Sequence, residues 1–404
     1  MTTLALREIE GRSRGYWALC AALAAIVAAG LGAAHHMETE GHIVTGMDNQ
    51  IVWGLPHVFA VFLIVAASGA LNVASIASVF DRRFYKPLAP LSGWLAIALL
   101  AGGLAVLALD LGRPDRIAVA MTHYNFKSIF AWNMFLYSGF FALVAWYLWS
   151  MLDRGGGAYA APAGMAVFVW RLTLTTGTGS IFGFLIAREA YSSALLAPLF
   201  VALSFAYGMA LYLVTLLAAC AGSGRAQGEV TLERLARLLG WFIVAAFYFV
   251  AVFHLTNLYL AKQMGVERFL LLEGGIHTAL FWIGQVVLGG ALPLALVWHP
   301  RLRRSRAAVL GAAILVVAGG LAQMYVTIIG AQAYPLDLFP GFEARSSFYD
   351  GVIHSYSPSL FEALLGLSGF AIAALLTILG VKLLKLLPES ASDEALVAQA
   401  KDEA

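Results

Sequence analysis

Ten long apolar runs, at residues 16–34, 51–80, 88–109, 128–151, 164–187, 193–221, 238–261, 276–298, 307–330 and 359–387, constrain this chain more than any other feature. About 20 apolar residues suffice for a helix to cross the hydrocarbon of a bilayer. Each run is continuous, whereas an outer-membrane barrel shows short segments of alternating polarity. The expected fold class is therefore an all-α integral membrane protein of about ten transmembrane helices. Only 12% of the 404 residues are charged, about half the usual share for a soluble domain. A disordered chain, a nucleic-acid binder and an ordinary soluble enzyme are excluded. Cys20 and Cys220 both lie inside apolar runs, so neither a disulfide framework nor a cysteine-held iron–sulfur cluster is expected in this chain.

Lysine and arginine set the orientation. With a cytoplasmic N-terminus, seventeen of the 25 fall inside and seven outside, with Arg171 left within a span. That bias places both termini in the cytoplasm. Glu8 and Glu10 in the leading segment argue against a cleavable signal peptide. The expected organisation is a cytoplasmic stretch 1–15, a membrane domain 16–387 and a cytoplasmic tail 388–404, in the inner membrane of a bacterial cell. The acidic end, 389–404, reads as a frayed segment without function. The longer connections, 34–50, 110–127 and 331–358, face outward and offer a docking surface, or are surface links only.

Ionisable groups at membrane depth are costly and mark function by default. His57 lies early on the second span and Asp110 closes the third. His254 sits in the outer half of the seventh, Glu273 and His277 open the eighth, and Glu362 opens the tenth. All these fall toward the outer side; Arg171, followed by Thr173, Thr175, Thr176 and Thr178, falls toward the inner half. A transporter is expected to place its binding groups near the midplane. The outer clustering suits a membrane-soluble quinone, which needs an apolar slot and His, Asp or Glu at its head to exchange protons. Simpler readings stand beside this. His254 serves equally as a helix–helix hydrogen-bond partner, Arg171 as a partner of backbone carbonyls, and Glu362 as a helix N-terminal charge. His35, His36 and His42 match no common metal-ligand spacing, and no metal site is expected. His57, His254 and His277 are the side chains available to a single outer haem b.

Three segments carry a resemblance. They are Ile51-Val52-Trp53-Gly54-Leu55-Pro56, then Leu109-Asp110-Leu111-Gly112-Arg113-Pro114-Asp115-Arg116, then Tyr356-Ser357-Pro358-Ser359-Leu360-Phe361-Glu362. Together they resemble the NrfD/PsrC (polysulfide reductase membrane subunit) family, in its ten-helix HybB/DsrP-like branch, over roughly residues 50–387. The resemblance implies two four-helix bundles, about 51–187 and 193–330, with the first and tenth spans as additions. Ser68-Gly69-Ala70-Leu71 and Tyr207-Gly208-Met209-Ala210-Leu211 form a faint internal echo of that repeat. The resemblance further implies a quinone/quinol-reactive subunit, using menaquinone or ubiquinone, of a respiratory or sulfur-metabolism complex. Its partners would be a periplasmic ferredoxin-like iron–sulfur subunit and further cytochrome and iron–sulfur subunits. Carried over, the family's site points to Trp53, His57, Asp110, Arg113, Asp115, His123 and Tyr124, with Arg116 adjoining. His57, Asp110 and Asp115 are the expected proton-exchanging groups. Arg171, Glu362, His254 and His277 are the candidates for a proton pathway. A b-type cytochrome, a secondary transporter and a plain anchor are the competing classes.

Overall fold

The computed structural model describes residues 6–153, 156–336 and 351–402. Ten long helices appear among them: α1 Arg14–Glu40, α2 Leu55–Ser78, α3 Ala89–Leu109, α4 Ile129–Leu152, α5 Ala160–Gly183, α6 Leu196–Ser223, α7 Glu229–Tyr259, α8 Ile276–Trp298, α9 Arg306–Ala333 and α10 Leu360–Leu383. Nine are long and apolar enough to cross a membrane. The other is α5, a helix of 24 residues that carries Arg171 and its threonines. Observed ends differ from the apolar runs by a few residues. The largest difference is at α7, whose polar first turns extend the helix back to Glu229, and Asp393 caps that end.

Helices α2 to α5 pack against one another, as do α6 to α9, and α2 lies against α6 where the two groups meet. At that seam Gly69 and Gly208 touch backbone to backbone, leaving no room for a Cβ on either. Without a hydrophobic drive between helices in lipid, such small-residue contacts supply the close packing. The faint echo around these two glycines in the sequence is thus the contact that joins the two groups. Helix α10 packs on α1, α3 and α2. Helix α2 is the most enclosed of the nine apolar helices and α1 the least.

The C-terminal segment corrects an expectation. Rather than fraying, it returns to pack beside the N-terminal segment. Leu387–Pro388 pairs antiparallel with Leu6–Arg7, and Leu386, Leu387, Ala391 and Leu396 are buried. Asp393 accepts hydrogen bonds from the Val230 and Thr231 amides and the Thr231 hydroxyl. Its carboxylate sits where the four orphan amides of the α7 N-terminus point, which both caps the helix and complements its dipole. Arg225 ties the two terminal segments together through the carbonyls of Arg7, Glu8 and Pro388. The acidic composition of the tail signalled solvation, but its apolar alternates meet a ledge of the helix ends that the sequence does not reveal.

Candidate functional site

The end of the α2–α5 group that holds the start of α2 and the end of α3 gathers the first constellation. Pro56, at the first turn of α2, sets the entry of that helix, and His57 follows on its first turn. Asp110 caps the C-terminus of α3. The two meet, with His57 Nδ1 2.7 Å from Asp110 Oδ2, off the line of an ideal hydrogen bond. The Asp110 side chain is almost wholly buried at 1% exposure, while His57 keeps 15%. A buried carboxylate favours a charged or donating partner, and its other oxygen, Oδ1, finds no donor among the described residues. The second ring nitrogen of His57, Nε2, is left without a protein partner there. Trp53 stacks on the His57 ring, 6.0 Å between centroids at 23°. Phe130, Phe182 and Tyr191 ring the indole at 5.7 to 6.4 Å. A titratable nitrogen thus lies at the edge of an aromatic wall.

Trp53 owes its place to an unexpected group. Gln332, fully buried at the end of α9, accepts from the Val52 and Trp53 amides and donates to the Trp53 and Ile328 carbonyls. Every polar position of its amide is used. Arg188 bonds the Gln332 and Gln50 carbonyls, and the Gln50 side chain bonds the Gln332 and Ala333 carbonyls. Asp48 accepts from the Gln50 and Ile51 amides and lies 2.6 Å from His354. Partial burial would raise the Asp48 pKa, but the Ile51 amide, His354 and the Gln50 amide outweigh it and hold the carboxyl below its usual range. A carboxyl so lowered stabilises the fold above its unfolded pKa and loses that contribution as pH falls through the folded one. With 39% of its side chain exposed, the effect is at most about 1 kcal/mol. Asp48→Asn should therefore lower the melting temperature slightly at neutral pH, with the difference shrinking as pH falls through the carboxyl's lowered folded-state pKa. A thermal-melt series across pH checks this; a gap that widens in acid would contradict it.

The other expected site residues make contacts of their own. Arg113 and Asp115 form a bidentate pair on the surface, at 2.9 and 2.8 Å. Both are exposed, and each holds the other charged: the Arg113 pKa is raised and the Asp115 pKa lowered, chiefly by their mutual hydrogen bonds. Arg116 and His123 are exposed, and His123 Nδ1 lies 3.0 Å from the neighbouring Thr122 hydroxyl. Tyr124 packs edge-on against Phe126 and Phe135. Among the described residues no hydrogen bond or ion pair links these five to His57 or Asp110. Of the long outer loop 331–358, residues 337–350, including Pro340, Gly341 and Tyr349, lie outside the described residues.

The candidates for a proton pathway are each placed by their surroundings. Arg171 sits midway along α5 and donates to the Ser68 carbonyl and Asn72 Oδ1, where α2 breaks at Leu71. It lies between the rings of Phe168 and Phe205, and no carboxylate pairs with it among the described residues. Glu362 is fully buried in a capping box with Ser359. It accepts from the Gly46 and Ser359 amides and the Tyr356 hydroxyl, which in turn accepts from the Leu55 amide. His254 Nδ1 lies 2.7 Å from Glu267 Oε2, and Asn257 donates to Glu267 Oε1. His277 is buried and stacks on Tyr325. Glu273 forms an exposed pair with Arg268. His36 lies against Phe361. Among the described residues no three His, Cys, Asp or Glu side chains gather to share a metal ion.

Comparison with known proteins follows the same lines. The family model described as "Polysulphide reductase, NrfD" matches residues 43–335, that is, the span from the loop before α2 to the end of α9. The chain is 31% identical over 393 residues to the "Hdr-like menaquinol oxidoreductase integral membrane subunit" of Archaeoglobus fulgidus, covering 96% of this chain and 98% of that protein. It is 28% identical over 415 residues to a putative dimethyl sulfoxide reductase membrane subunit of Halobacterium salinarum, covering 94% and 93%. With a selenate reductase subunit of Mesobacillus selenatarsenatis it shares 23% identity over 376 residues, covering 83% and 86%.

Proposed function

The chain belongs to the polysulphide reductase NrfD family, and from that premise we propose that it is the quinone-reactive membrane subunit of a respiratory or sulfur-metabolism electron-transfer complex. It exchanges electrons between the quinone pool of the cytoplasmic membrane and an iron–sulfur subunit docked on the outer loops. The observation that carries this reading is the His57–Asp110 pair beside Trp53. A half-open histidine, backed by a buried carboxylate and edged by aromatic rings, suits a quinone head group. Relatives named as subunits of a menaquinol oxidoreductase, a dimethyl sulfoxide reductase and a selenate reductase support the same class, and the first favours menaquinone.

In this reading the quinone enters from lipid, its ring beside Trp53. The free His57 Nε2 meets one ring oxygen. When quinol is oxidised, Nε2 takes a hydroxyl proton while Asp110 stabilises the imidazolium through Nδ1. The two electrons pass to the partner's clusters, and both protons leave to the outer water. Quinone reduction runs the same steps in reverse. Arg113, Asp115 and Arg116 form the charged rim over which the partner docks. His123 and Tyr124 flank it.

Binding by the purified chain alone tests the proposal. A hydroxyquinoline N-oxide quinone analogue, whose fluorescence is quenched when it binds, should titrate saturably onto the protein in detergent. His57→Gln should weaken that binding about tenfold, the worth of one hydrogen bond to a ligand. An isolated chain that binds no analogue would be a membrane anchor. A Soret band in the same sample would make it a cytochrome.

A further inference from the structure

The second helix group lines a small, partly open cavity of about 30 Å³. Gln285 of α8 and Gln323 of α9 line it, together with Tyr207, Phe247, Gly289 and Gly319. Both glutamines are more than nine-tenths buried. Gln285 Nε2 and Oε1 and Gln323 Oε1 have no hydrogen-bond partner among the described residues, whereas Gln323 Nε2 donates to the Thr327 hydroxyl. Gln285 lies nine residues in from the outer end of α8 and Gln323 ten from that of α9. At about 1.5 Å per residue both stand roughly 14 Å deep, near the middle of a hydrocarbon layer about 30 Å thick. The wall there is irregular. Residues Leu280–Ala291 of α8 wind as a π-helix, a form that is rare and recurs at functional sites. Gly289 and Gly319 touch backbone to backbone beside it.

We propose that this cavity is a hydration site, in which water bound between Gln285 and Gln323 gives the second helix group a polar centre. The dimensions and the chemistry agree. A water needs about 10–15 Å³ of such space and two to four polar partners, so the volume holds about two. Two donors and acceptors on Gln285 and an acceptor on Gln323 serve them. Water is the ligand class because the open positions include both a donor and acceptors, all neutral, which suits neither a bare cation nor an anion. No quinone fits such a space, so the inference stands independently of the function proposed above. The first group differs at comparable depth. There Arg171 holds a fixed positive charge against Ser68 and Asn72, and a buried guanidinium repels cations and hydronium. At this depth the second group instead lines the cavity with the neutral amides of Gln285 and Gln323. It lies about one helical turn inward of His254 and Phe281, which pack edge to face at 4.8 Å.

Hydroxyl-radical labelling in 18O water reads bound water directly. With the full-length chain in lipid nanodiscs, Tyr207 and Phe247 should incorporate label several-fold faster than Phe140, a fully buried ring in the first group. The double variant Gln285→Leu/Gln323→Leu should bring both to the Phe140 rate; if it fails to insert, Gln323→Met alone should reduce them. Wild-type labelling no faster than Phe140 would show a dry cavity and overturn the proposal. So would a label that persists in the inserted variants.

Discussion

Replacing His57 by glutamine should reduce quinol-dependent electron transfer in membranes by about 100-fold or more, the range of a lost general acid–base group. The glutamine is the informative variant. Its amide keeps a polar group beside Asp110, so the buried carboxylate does not face an apolar side chain and α2 and α3 stay together. What it lacks is a nitrogen that gains and loses a proton near neutral pH. The loss should therefore fall chiefly on kcat, with a smaller rise in KM, because proton transfer is needed in the transition state and binding is only partly affected. Asp110→Asn separates the roles further. His57 then keeps a hydrogen-bonding neighbour but loses the charge that stabilises its protonated form. Turnover should fall by at least about tenfold, with activity recovering in part at higher pH, where a free quinol hydroxyl ionises more readily. Stopped-flow oxidation of a water-soluble quinol by the assembled complex measures both. Normal turnover in His57→Gln, with the protein shown to be inserted, would remove His57 from the site.

The sequence disclosed the membrane architecture, and gave the expectation that titratable groups gather at one end of the helices, because both depend on local composition. Apolar runs of spanning length need no tertiary contact to be read, and the arginine bias orients them. His57 and Asp110 were visible for the same reason: each is an ionisable group at the edge of an apolar run. Their contact was not readable, since 53 positions separate them and only the packing of α2 on α3 joins them. Adjacency in sequence pointed the other way for Arg113 and Asp115. They sit in the same motif as Asp110, yet two residues apart they neutralise each other on the surface. Glu267, the buried partner of His254, escaped notice because it lies on a short helix outside the apolar runs, in a segment that reads as a polar loop. Gln332 escaped for another reason. A census of charges passes over a neutral amide, and only the folded backbone shows that four hydrogen bonds converge on it.

Gln332→Leu should consequently be the most damaging substitution at a residue with no chemistry of its own. Leucine matches the volume but withdraws the acceptor of two amides and the donor to the Trp53 carbonyl. The Ile328 carbonyl retains its place in α9, so three backbone groups lose their side-chain partner. Val52 lies at the surface and its amide can turn to water; those of Trp53 are half-buried against the aromatic wall. At about 1–3 kcal/mol for each buried group left unpaired, the loss is roughly 3 kcal/mol. Melting followed with a thiol-reactive fluorophore measures it, because Cys20 and Cys220 are both buried and react only on unfolding. Residues 52–54 then lose their hold on α9, although Gln50 stays tied to the Gln332 and Ala333 carbonyls, and Trp53 no longer holds its angle to His57. Since His57 and Asp110 hang on α2 and α3 and stay paired, the KM for quinol should rise about tenfold while kcat changes little. Gln332→Glu retains the two acceptor contacts and loses only the donor, so its KM should fall between wild type and leucine. A leucine variant with lowered melting temperature but unaltered KM would show that Gln332 supports the fold alone. A graded KM across the pair would establish that the α9 end, in the second helix group, sets the geometry of a site built in the first.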